Sequence, residues 1–152
     1  MGAKIAIDAS VIVRYLTGDE KTQSAAAADL FRAAEAGKVT LVIPTATIQE
    51  TVYVLERLYG LDAETIAPKL LSLLAISNVL APDARWLAEA LQNYRTKNSD
   101  FGDALLCAYA HEEACDVATF DKGLMKKFPE VAALTPIDWL AKTAQQKGKG
   151  QN

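Results

Sequence analysis

Apolar residues follow two alternating rhythms along the chain. Short apolar or β-branched runs, each closed by a polar or proline-containing turn, recur between longer stretches whose apolar side chains return every three or four positions. The first rhythm belongs to buried strands and the second to helices with one apolar stripe. The spacing predicts strands over Lys4–Asp8, Thr40–Ile43, Asn78–Leu80, Asp116–Phe120 and Ala133–Thr135. It predicts helices over Thr22–Ala36 with Gly37 as the stop, Thr47–Tyr59 with Gly60 after it, and Asp83–Arg95 behind an aspartate cap. Helices are also expected over Phe101–Ala114, Gly123–Phe128, Asp138–Ala144 and Asp62–Leu74, the last kinked or split by Pro68. Strands that alternate with helices predict an α/β fold built on a parallel sheet. No internal repeat is visible.

The 152 residues suffice for one domain with one core. That core is expected within residues 1–144. Residues 145–152 carry Lys147, Lys149 and two glycines and no apolar side chain, so they are expected to form a disordered basic tail. No apolar run approaches the roughly 18 to 20 residues that span a bilayer, and Asp8 interrupts the stretch where a signal peptide would be apolar. A cytoplasmic location without membrane attachment is the expectation. Cys107 and Cys115 offer no disulfide framework, and packing is their expected role.

In an open parallel sheet, chemistry collects at the carboxyl ends of the strands. Asp8 closes the first strand in IAIDASVIV, and Asp121 follows the Asp116–Phe120 strand in DVATFDKGL. Asp103 lies in the first turn of the helix opened by SDFGDALL, and Glu50 in the first turn of the helix opened by TATIQETVYVL. All four can reach the same edge. Each position also suits a simpler role: Asp8, Asp100 and Asp121 match helix N-caps, and Thr47 with Glu50 matches a capping box. Capping leaves Asp103 unexplained, as well as the recurrence of acids on one edge.

Carboxylates brought within a few Å repel one another and take up protons unless a cation intervenes. Magnesium or manganese meets that need, because hard oxygen ligands suit them and a bound water can be activated there. The net charge of -3 argues against bulk binding to phosphates. Two divalent ions held by the acids would turn it into about +1, focused at the site.

The four acidic segments together resemble the PIN-domain ribonucleases, in particular the VapC-type toxins of bacterial and archaeal toxin-antitoxin pairs. IAIDASVIVRYLTGDE is similar to their opening and IQETVYVLERLYG to their second acidic helix, while DFGDALLCAYA and ATFDKGLMK are similar to their closing pair. The likeness spans nearly the whole chain. It implies a three-layer α/β/α sandwich with a central, mainly parallel sheet of four to five strands. It assigns Asp8, Glu50, Asp103 and Asp121 to a cluster that is both catalytic and metal-binding, with one or two Mg2+ or Mn2+ ions. Thr119 matches the small hydroxyl residue that precedes the last acid, where it would bond a metal water or an acid, unless it is only a strand-end threonine. Asp100 matches a position that would tune the cluster from outside, with its cap role as the competing reading. The reaction implied is in-line attack of a metal-activated water on an RNA phosphodiester, leaving a 5'-phosphate and a 3'-hydroxyl. Arg14 and Lys122 fall near this edge and can hold phosphate, outside the catalytic set.

Other chemistries find weaker footing. His111 is the single histidine and no serine sits in a nucleophile-elbow context, so a hydrolytic triad is not expected. Cys107, His111 and Cys115 recur every four residues but lack a fourth zinc ligand. A haloacid-dehalogenase-type phosphatase would need a second aspartate where Ser10 stands. A non-catalytic acidic binding module or PIN-like scaffold is the alternative from a different class. The toxin reading brings three partners with it: an RNA substrate, a second copy of the chain, and a cognate antitoxin that inserts a basic residue, an arginine, among the acids. The homodimer is expected because helices such as Thr47–Tyr59 carry more apolar surface than a small sheet can cover.

Overall fold

A computed structural model describes residues 2–150. In chain order the elements are β1 (Ala3–Ala6), α1 (Ala9–Thr17), α2 (Lys21–Glu35), β2 (Val39–Val42), α3 (Thr45–Arg57), α4 (Ala63–Leu74), β3 (Val79–Leu80), α5 (Ala84–Thr96), α6 (Phe101–Glu112), β4 (Val117–Ala118), α7 (Lys122–Lys127), β5 (Ala133–Leu134) and α8 (Pro136–Lys149). The α/β alternation follows the apolar rhythm, and every strand pair is parallel. Each pair is joined through helices, the only short way to bring a chain back for parallel pairing.

The five expected strands do not form one continuous ladder among the described residues. They stand as a three-stranded sheet in the order β1-β2-β3 and a two-stranded sheet β4-β5. Strands β3, β4 and β5 are two residues each, so few main-chain bonds are available to bind neighbours. Strand β1 is exposed along its length, whereas β2, between two neighbours, buries Leu41, and Ile43 just beyond it is fully enclosed. Around β2 the core gathers Ile12, Phe31, Ile48, Leu55, Ile66, Leu70, Leu87 and Leu91.

Local chemistry explains most boundaries. Gly37 and Gly60 follow α2 and α3 at φ of 75° and 65°, a left-handed turn that costs glycine nothing. Pro68 lies inside α4, which runs unbroken through it rather than splitting there. The core side chains Ile66, Ala67 and Leu70 flank the proline on both sides and are fully buried, so packing holds the two turns together. Helix α8 runs past its expected end at Ala144 to Lys149, so residues 145–149 are helical where a disordered tail is expected; Gln151 and Asn152 lie outside the described residues. Gln and Lys are good helix formers, and α8 needs no core for this, since none of its residues is buried.

Tyr94 brings a polar contact into the core. The ring is 3 % exposed and meets Phe101 edge-on at 5.3 Å, while its hydroxyl donates to the Glu56 carboxylate on α3. Tyr94→Phe keeps the ring and strands the carboxylate. Chemical denaturation should show a loss of about 1–2 kcal/mol, and an unchanged midpoint would mean that water replaces the bond.

Candidate active site

Three of the candidate acids are helix N-caps, as the local sequence allows. Asp8 Oδ2 accepts from the Ser10 amide at 3.2 Å and the Ser10 hydroxyl at 2.7 Å. Asp100 Oδ1 accepts from the Asp103 amide at 3.3 Å, and Asp121 Oδ1 accepts from the Gly123 and Leu124 amides at 2.8 and 3.2 Å. In each case one carboxylate oxygen is engaged and the other makes no hydrogen bond among the described residues. Capping and ligation are therefore compatible: the cap fixes the side chain and leaves an oxygen free. The Ser10 hydroxyl, above all, and then the Ser10 amide hold the Asp8 carboxyl below its ordinary value, so it is ionised over the physiological range.

Glu50 departs from its expected setting. Pro44, extended at ψ 152°, starts α3 at Thr45 with no side-chain cap, so Glu50 is in the second helical turn and the Thr47–Glu50 capping box does not form. The Thr47 carbonyl instead accepts the Thr51 hydroxyl at 2.8 Å. Glu50 is exposed and shares a cavity of about 220 Å³ with Asp8, Arg14 and Tyr59.

Asp103, Asp100 and Asp121 make a second group. Burial first, then the charges of Asp100 and Asp121, push the Asp103 carboxyl above its ordinary value, and Lys127 opposes them. Asp103 is half-buried and accepts no hydrogen bond among the described residues, so its charge is relieved only by a proton or a cation, and Lys127 supplies part of that relief. Gly102 joins the two groups. A Cβ there would stand 2.9 Å from Asp100 Oδ1 and 3.8 Å from Gln49 Nε2, so the start of α6 lies against the residue before Glu50. Thr119 acts on the backbone: its hydroxyl oxygen accepts the Asp121 amide at 3.0 Å, which sets the entry to α7 and leaves the hydroxyl proton to donate elsewhere.

The donor set is entirely carboxylate oxygen, the chemistry that suits Mg2+ or Mn2+. As the side chains stand, no three acids converge closely enough among the described residues to cage an ion. The acids are two neighbouring groups, Asp8 with Glu50 and Asp100 with Asp103 and Asp121. The zinc arrangement is absent for a different reason. Cys107 is buried, with its thiol pushed up to about 11 by that burial, whereas His111 is exposed and bonds Glu89 at 2.6 Å, and Cys115 lies beyond the end of α6.

Two features escaped the sequence. Lys127 closes α7, the helix that Asp121 caps, donates to the Asn98 carbonyl at 2.7 Å and places its charge near Asp103. Arg14 is fixed by Gln23, Asp19 and Tyr59, residues whose spacing in sequence carries no periodic signal.

A family model described as the PIN domain matches residues 5–133. Among solved structures, the chain is similar to the crystal structure of VapBC2 from Rickettsia felis bound to a DNA fragment from their promoter. The identity is 14%, with 86% of this chain and 96% of that chain covered at a TM-score of 0.32. No curated protein matches the chain.

Proposed function

The chain belongs to the PIN domain family, and on that premise we propose that it is a divalent-metal-dependent endoribonuclease, the toxin of a type II toxin-antitoxin pair. The observation that carries the reading is the charge on Asp103. A half-buried carboxylate whose proton affinity is raised by burial and then by Asp100 and Asp121, offset only by the charge of Lys127 and by no hydrogen-bond donor among the described residues, would gain from a bound cation. The free oxygens of Asp8 and Asp121, with Glu50 and Asp103, would hold Mg2+ or Mn2+, one ion or two. When bound, such an ion lowers the pKa of water and neutralises charge that develops on a phosphodiester.

This chain's own residues prepare the site. The caps at Asp8 and Asp121 remove rotamer freedom before any ligand arrives, so little ordering remains to be done on binding. Thr119 holds the Asp121 backbone, and Asp100 adds negative charge beside Asp103 without needing to touch substrate. Cleavage would leave a 5'-phosphate and a 3'-hydroxyl.

The partners follow from surface and charge. Tyr53 on α3 and Leu58 just after it are 61% and 77% exposed, an apolar surface that a second copy of the chain would cover. The acids offer an arginine of an antitoxin a bidentate seat. No helix among the described residues is long and apolar enough to cross a membrane, and a cytoplasmic setting is part of the proposal.

A non-catalytic PIN-fold scaffold is the second reading, favoured because no three acids among the described residues stand close enough together to hold an ion. Total cellular RNA incubated with purified protein in Mg2+, Mn2+ or EDTA separates the two. Cleavage confined to the metal-containing samples supports the nuclease, and intact RNA throughout supports the scaffold.

A further inference from the structure

Arg14 occupies an unusual place beside the acids. It lines the Asp8–Glu50 cavity of about 220 Å³ and also a hollow of about 440 Å³ between α1 and α2, and Ser10 is the other residue common to both. The two hollows thus meet at one cation.

The guanidinium is held on two of its three nitrogens. Nε donates to Gln23 Oε1 at 2.8 Å, and Nη1 donates to Asp19 Oδ1 at 3.0 Å and to the Tyr59 hydroxyl at 3.0 Å. Asp19 is pinned in turn by the Tyr59 hydroxyl at 2.6 Å and the Thr17 hydroxyl at 2.9 Å. Nη2 makes no hydrogen bond among the described residues. Four side chains from α1, the α1–α2 turn, α2 and the segment after α3 therefore fix one fork and leave its outer N–H pair unused.

An exposed ion pair by itself contributes little to stability, so such a clamp is more than the fold requires. A fixed guanidinium with an open edge suits phosphate, because the entropy of ordering the long side chain is already spent. We propose that Arg14 holds a backbone phosphate of the bound RNA strand through Nη2, at the point where the strand leaves the acidic pocket for the α1–α2 hollow. This assignment rests on the ribonuclease reading and makes Arg14 a substrate-binding residue for it.

The clamp allows a test by sign. Arg14→Gln removes the cation, while Asp19→Asn loosens the same clamp yet keeps an acceptor and leaves the cation uncompensated. Binding of a fluorescently labelled single-stranded RNA oligonucleotide is followed by anisotropy over a salt series, with Mg2+, all variants made in the Asp103→Asn background. The expected results are binding about tenfold weaker at low salt for Arg14→Gln and a salt slope smaller by about 0.7. Asp19→Asn should bind as well as its parent or better. Equal weakening by both substitutions, or none by Arg14→Gln, overturns the assignment in favour of a purely structural ion pair. Cleavage by the chain with Asp103 intact is measured in parallel. Metal-dependent cleavage without an Arg14 effect defeats this inference alone, and the Arg14 effect without cleavage defeats the nuclease reading alone.

Discussion

Asp103→Asn should abolish at least about a hundredfold of metal-dependent RNA cleavage, yet leave the metal-free protein as stable as the parent or more so. The two effects share one cause. Burial, Asp100 and Asp121 all disfavour the ionised form of Asp103, so its folded-state pKa is raised, the reverse of a salt-bridged aspartate. Below the unfolded-state value the group is protonated in both states and costs nothing. As pH rises through the unfolded and then the folded value, the unfolded chain ionises first and stability is lost; above the folded value the penalty is constant. Asparagine removes that penalty across neutral pH. A divalent cation should do the same for the parent alone, since binding only the folded chain raises its melting temperature by mass action. Thermal melts in EDTA and in Mg2+, beside cleavage rates, check both halves. A variant that cleaves normally removes Asp103 from the site, and one that melts lower in EDTA contradicts the electrostatic account.

Phe128→Ala carries the largest expected cost to the fold, about 3–5 kcal/mol by denaturant titration. The ring is fully buried just after α7. Lys97 Nζ stands 4.8 Å above its centroid and donates to Glu130 at 2.7 Å and to the Lys127 carbonyl at 2.8 Å. Lys127 completes the tie by bonding the Asn98 carbonyl, just before Ser99 and the Asp100 cap. This cluster joins the helix capped by Asp121 to the segment that leads into the Asp100 cap and the first turn of α6, where Asp103 lies. The substitution should therefore reduce cleavage more than a core deletion of similar cost elsewhere, such as Leu70→Ala on α4. Equal activity losses at equal stability would show that the tie serves only the fold.

The candidate site was legible because its signals are local. Asp8, Asp100 and Asp121 each bond an amide two or three residues ahead, a spacing any reader of the chain can see. Glu50 was misplaced by a turn because Thr47 offered a capping box that Pro44 pre-empted. Pro68 looked like a break because its missing N–H is evident in sequence, whereas the burial that outweighs it is not.

The order of strands and helices, the acids at their junctions and the family to which the chain belongs were determined by the sequence itself, because periodicity and capping act over a few residues. Tertiary structure decided what depends on distant partners. It divided five short strands into two ladders, set Asp8 with Glu50 and Asp103 with Asp100 and Asp121, and fixed Arg14 against a tyrosine 45 residues away. Such pairings arise from packing between separate elements, and no local pattern encodes which side chains a folded surface will bring together.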